Sequence, residues 1–159
     1  MAEKWFLKLD GIPGGSTDAR HRHEIDVESW SWGLTGAVTH GSGGGAGAGK
    51  ASFEDLQIVA ALSAASPKLF LACAAGTHVV EAVLSGLRPG PAPLQLLVLT
   101  LRDVVVSGYH VGDELLDVPK DRFSLAFGQV ELRYTPQDAG GKAGSAVSAG
   151  WDVLQHQLL

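Results

Sequence analysis

EIDVESWSWG, residues 24–33, is the stretch that decides how this chain is read. Side chains of an extended strand alternate between two faces. Trp30 and Trp32 therefore share a face with Glu24, Asp26 and Glu28, while Ile25, Val27, Ser29 and Ser31 share the other. A strand laid over one core separates apolar from polar residues by face, and this one mixes them on both. The pattern predicts a strand whose two ends meet different surroundings, as when one sheet serves both a core and a contact between subunits. Trp30 and Trp32 are candidates for the core or for a subunit interface, since indoles carry large apolar area and are enriched in both settings.

The rest of the chain supplies partners for such a strand. Residues 5–9 alternate Trp5, Leu7 and Leu9 against Phe6 and Lys8, and residues 52–59, 79–87, 94–106 and 123–134 read as further strands. The run 94–101 is apolar on both faces, as in a strand buried from two sides. One helix is marked over residues 65–76, with Ser66 as the expected cap, Pro67 at the first helical position and Gly76 as the stop. Its expected buried side carries Leu69, Phe70, Cys73 and Ala74. Residues 11–18 and 89–91 are turns. A glycine-rich loop is expected at about 36–49 and a flexible tail at about 138–150, with Trp151 as an anchor beyond it. These elements predict a mainly β fold, a β-barrel or sandwich of two antiparallel sheets with one α-helix packed alongside, in a single domain over residues 1–159.

Composition narrows the function. The formal charge of −5 argues against a nucleic-acid partner, whose footprint would be a basic stripe. No basic amphipathic stretch suggests a membrane surface, and no apolar run approaches the roughly 20 residues that span a bilayer. The first ten residues read as a strand and not a signal peptide, which predicts a cytoplasmic start. The single cysteine, Cys73, has no partner for an intramolecular disulfide and reads as a small buried apolar group.

Catalytic and cofactor chemistry is not signalled. GGAGAGKA, residues 44–51, has phosphate-loop spacing, but Ala51 stands where a Ser or Thr would hold magnesium, and a strand follows in place of a helix. His21 and His23 could share a face, but no third ligand lies at metal-site spacing, so a solvated strand end is expected. His40, His78, His110 and His156 are isolated in the sequence. Ser31 and Ser107 have no nucleophile elbow, and nothing aims Asp103 and Asp113 at a substrate. No enzyme, cofactor or metal is expected.

FLKLDGIPGGSTDARHRHEIDVESWSWG, residues 6–33, resembles the amino-terminal third of the hemolysin-coregulated protein (Hcp) family, which forms the inner tube of the bacterial type VI secretion system. Further matches follow in order: GKASFEDL at 49–56, ASPKLFLACAAG at 65–76, LRDVVVS at 101–107, FGQVE at 127–131, YTPQ at 134–137 and GWD at 150–152. Residues 59–66 and 113–119 depart from the family pattern. The resemblance implies a tail-tube-like fold and six subunits in a ring. It implies rings stacked into a tube that a sheath expels, small effectors carried in the central hole, and sheath, spike and baseplate components as partners. It also implies export after a cytoplasmic stage. In that setting Ser29 and Ser31 are expected to line the lumen and contact effectors. His40, Gly44, Gly47 and Lys50 are the candidates for ring stacking, on a loop dispensable for folding. The alternatives are the tube of another contractile particle, or a monomeric barrel that binds a ligand inside.

Overall fold

The computed structural model describes residues 2–36, 50–113 and 118–159. Its elements are β1 (Lys4–Leu9), β2 (Ile25–Ser31), β3 (Leu34–Thr35), β4 (Ser52–Phe53), β5 (Leu56–Ala61), α1 (Ala65–Ala75), β6 (His78–Arg88), β7 (Leu94–Gly112), β8 (Lys120–Tyr134), β9 (Val147–Asp152) and β10 (Gln157–Leu158). Strands β8, β5, β2, β1, β6 and β7 are hydrogen-bonded in that order, and β7 returns to β8, so six strands close an antiparallel barrel. Strands β9 and β10 extend from β8, and β3 pairs with β4 in a separate small sheet. The mainly β architecture with one helix alongside is as the sequence indicates.

Closure leaves few free sheet edges, and the interior is filled by side chains. Leu7, Leu56, Leu101, Val104 and Leu125 are fully buried, among others, in one continuous core. Strand β8 is long enough to serve two neighbours in succession. Its first part pairs with β5 through residues 120–125, and its second part pairs with β9 through residues 129–134.

The mixed faces of residues 24–33 have a specific cause. Val27 stands opposite Ala60 but Ser29 stands opposite Val59, so Glu28 is an extra residue and β2 carries a bulge. One extra residue inverts which positions face the core. Ile25 and Val27 are buried before it; after it Trp30 turns inward and Ser29 and Ser31 turn out. This corrects the two-face assignment: Ile25 and Val27 lie on the side of Trp30, not with Ser29 and Ser31. Trp30 meets Trp5 edge-on, with centroids 4.9 Å apart. Trp5 in turn lies across from Gly86, where a Cβ would come within 2.4 Å of the indole. Only glycine leaves room for that ring.

Helix α1 ends as expected, at Gly76 with φ 63°, a left-handed cap whose N–H groups close on the last turn. Its start differs. Ala64 is the N-cap, so Ser66 falls inside the first turn, where its hydroxyl donates to Asp121 across the structure at 2.6 Å. The buried face differs too: Ala65, Leu69 and Ala72 are covered and Cys73 is half-buried, while Phe70 is exposed. A single helix on a barrel wall contacts along one narrow line, and Phe70 lies one residue off it.

The expected tail at 138–150 overlaps β9, whose Val147 pairs with Tyr134 and whose Trp151 pairs with Val130. The segment is mostly small residues before Trp151, with Val147 its one large apolar side chain, so no apolar alternation announces a strand. The open hydrogen-bonding edge of β8 makes one. The long connection expected between residues 33 and 49 already pairs at its start, through Leu34 opposite Phe53. His21, expected in solvent, is buried: its ring stacks on Phe6 at 4.5 Å and its Nδ1 lies 3.0 Å from the Glu24 carboxylate. His23 is the exposed member of the pair.

Candidate functional site: a polar wall and an apolar groove

Two surfaces of the barrel stand out for opposite chemistry. The first is the outward face of β2, β5, β8 and β7. Register sets Ser31 opposite Gln57, Gln57 opposite Ser124, and Ser124 opposite Gly108. The next row runs Ser29, Val59, Arg122, His110. Ser29, Ser31, Gln57, Arg122 and His110 are exposed. A second bulge, at Ser107 on β7, turns that hydroxyl outward, where it donates to Asp55 at 2.6 Å and lies 2.8 Å from the Ser124 hydroxyl. Lys120 and Glu28 form an ion pair at 2.8 Å on the same face. This wall is built of small hydroxyls, one amide and partnered charges.

Ser29 and Ser31 thus lie on a four-strand wall with Gln57, Ser124, Arg122 and His110, which the sequence reading did not single out. Alternation within β5 and β8 put these residues opposite the buried Ile58, Phe123 and Leu125. That signal assigns a face, but which strands lie side by side becomes visible only in the closed barrel.

The second surface is an apolar groove of about 430 Å³, walled by Trp32, Leu34, Phe53, Leu132, Trp151 and Leu158. Leu34 is 51%, Leu132 40% and Leu158 76% exposed, large values for leucines grouped around aromatic rings. Trp32 stacks on Phe53 at 6.4 Å and donates its indole N–H to the Glu54 carbonyl at 3.0 Å, which holds β4 against the end of β2. The two tryptophans of the SWSW run therefore part company. Both are half-buried against the core, Trp30 beside Trp5 and Trp32 as a wall of the groove.

Of the ring-stacking candidates, Lys50 is exposed next to Ala51 at the rim of the groove. His40, Gly44 and Gly47 lie outside the described residues, as does most of the 36–49 loop. Among the described residues no group of His, Cys, Asp and Glu could hold a metal ion, and no helix is long and apolar enough to cross a membrane. Two histidines isolated in the sequence gain neighbours in the fold. His78 lies 3.0 Å from the Asp103 carboxylate, and His156 meets Trp151 edge-on.

Residues 6–134 match the family described as "Type VI secretion system effector, Hcp". The chain is 36% identical to Protein hcp1 of Pseudomonas aeruginosa over 159 residues, 98% of each chain. Its fold superposes on the crystal structure of Hcp1 from Salmonella typhimurium with a TM-score of 0.82 at 30% identity, covering all of both chains. A structure described as that of a type six secretion system protein gives a TM-score of 0.92 at 28% identity, covering 99% of this chain and all of the other.

Proposed function

Because the chain belongs to the Hcp family of type VI secretion tube proteins, we propose that six copies close into a ring, with the β2-β5-β8-β7 wall around the central hole and the apolar groove covered by a neighbouring copy. Rings stack into the expelled tube, inside the sheath and between baseplate and spike, and small effector proteins ride in the hole in contact with Ser29 and Ser31.

The observation that carries this reading is the segregation of the two surfaces. A groove walled by Trp32, Leu34, Phe53, Leu132 and Leu158 has the composition of an interface core, rich in aromatics and free of charge. Leaving such leucines in water is unfavourable by about 25 cal/mol for each Å² of apolar surface. The wall has the reverse character. It presents hydroxyls and amide to solvent, as suits the lining of a water-filled hole that passes different cargoes. Head-to-tail contacts of this kind close a ring when the rotation per subunit is right. The filled interior, with Leu99, Leu101 and Leu125 fully buried, speaks against the alternative of a barrel that binds a ligand inside. Hcp proteins form a structural family, and no catalytic role is assigned to any residue.

Light scattering coupled to size-exclusion chromatography tests the ring. The expected mass is about six times that of one 16.6 kDa chain, and a monomer at micromolar concentration would overturn the reading.

A further inference from the structure

Asp121 is 1% exposed, yet it carries a carboxylate on a barrel strand otherwise lined inward by Phe123 and Leu125. A buried carboxylate requires hydrogen-bond donors. Its two oxygens have one each: the Tyr109 hydroxyl donates to Oδ1 at 2.6 Å and the Ser66 hydroxyl to Oδ2 at 2.6 Å. Tyr109 belongs to β7 and Asp121 to β8, two strands paired in the barrel wall, whereas Ser66 belongs to the first turn of α1. The same Ser66 oxygen accepts the Ser63 backbone N–H at 3.1 Å, and the Ser63 hydroxyl accepts that of Ala65 at 3.1 Å. The polar cluster therefore ties the entry of the helix to the barrel.

Little else does. The buried face of α1 is Ala65, Leu69 and Ala72, two of them alanines, while Phe70 is 59% and Leu71 62% exposed. The N-cap residue itself, Ala64, has no side-chain oxygen to cap the helix, and Ser63 serves only the Ala65 N–H. Both ends carry joints: the exposed Leu62 leads in from the end of β5, and the left-handed Gly76 leads out to β6. The hydrogen-bonded circuit that closes the barrel does not pass through the helix.

We infer that α1 is a latch, pinned to the closed barrel by the Ser66–Asp121–Tyr109 hydrogen bonds, and that it releases as a unit while the barrel stays intact. Asp121 is then a positioning residue, kept buried to place the helix. Burial, followed by the bond to Asp121, pushes the Tyr109 hydroxyl up to about 12, so the phenol keeps the proton that it donates. Release would uncover Leu69 and the stretch of β7 under it, making the helix the part of the subunit that changes shape at least cost.

Cys73, the only cysteine of the chain, lies half-buried on this helix and reports its release. The test is the rate at which a thiol reagent labels Cys73 in the full-length protein across low denaturant concentrations, beside backbone hydrogen exchange of residues 121–125. Labelling is expected to have a much weaker denaturant dependence than exchange in β8, the mark of an opening smaller than global unfolding. Ser66→Ala and Tyr109→Phe should each speed labelling about ten- to a hundredfold, the loss expected for a hydrogen bond to a charged group, and Ser66→Thr, which keeps the hydroxyl, should restore a slow rate. Equal denaturant slopes for Cys73 and β8 would overturn the latch. Labelling unchanged by Ser66→Ala would overturn the pin.

Discussion

On one flank of the barrel, strands β2, β5, β8 and β7 turn serines, a glutamine and partnered charges outward; on the other, β3, β4, β8 and β9 surround a groove with tryptophans and leucines. Strand β8 belongs to both, giving Arg122 and Ser124 to the wall and Val130 and Leu132 to the groove. The difference therefore does not lie in strand type. It lies in which neighbours each half of the strand has. Where β8 runs beside β5 it turns Arg122 and Ser124 outward to water, and where it runs beside β9 the side that carries Val130 and Leu132, shared with the buried Leu101 and Leu99 across on β7, continues from the core into the open groove. One strand thus joins a polar surface to an open apolar one.

The two tryptophans of the SWSW run offer the strongest way to break that comparison. Trp30→Ala removes an indole packed edge-on against Trp5 and against the core, and should cost about 3 kcal/mol of folding stability in denaturant titration. Trp32→Ala empties part of an open groove, and should cost less stability than Trp30→Ala while assembly fails. Equal losses of stability would mean that the run is a single core element after all.

Leu132→Asp comes next in size. It sets a charge in the groove where the side chain is already 40% exposed, so the isolated chain should fold with a change of about 1 kcal/mol or less. Burying that charge against a partner is far more costly. Light scattering should therefore find monomers in place of the proposed rings. Rings that persist would remove the groove from the interface.

A smaller effect is expected in alkali. The Tyr109 hydroxyl is raised from 10.0 to about 12 in the folded protein. Below the unfolded value both states hold the proton and folding loses nothing. As pH climbs from about 10 to about 12 the unfolded chain releases that proton more readily, so stability falls across this window. Tyr109→Phe should remove that part of the decline, measured by chemical denaturation at several pH values, at the price of a weaker helix attachment at neutral pH.

The smallest structural effect belongs to Ser31→Gln. An exposed serine on the polar wall should accept the larger side chain within about ±0.5 kcal/mol, and ring mass should not change. Co-purification of a cognate effector should nonetheless drop, because in the proposed ring the side chain repeats around the hole. If Ser31→Gln dissolved the ring with cargo absent, the wall and the groove would have been assigned the wrong way round.

Much of this architecture was legible in the chain. Alternation located β1, β6, β7 and β8 to within a few residues, and Gly76 marked the end of the helix. What escaped was of one kind. The Glu28 bulge, the burial of His21, the diversion of Ser66 to Asp121 and the recruitment of β9 each depend on a partner distant in sequence. Ser66 makes the point: as a residue before Pro67 it is a natural cap, and only a carboxylate 55 positions away draws it elsewhere.

By itself, then, the sequence determined the element types, since side-chain period and the conformational limits of proline and glycine act within a few residues. Its ordered matches over residues 6–137 and 150–152 also pointed to the family. Tertiary structure alone decided which side of each strand meets which neighbour. One extra residue at position 28 reverses the facing of every residue after it, and nothing local to residues 24–33 says where the slip falls. That slip turns Trp30 against the core and Ser31 onto the wall, because Ala60 and Val59 of β5 set the register and the space beside Trp5 was there to be filled.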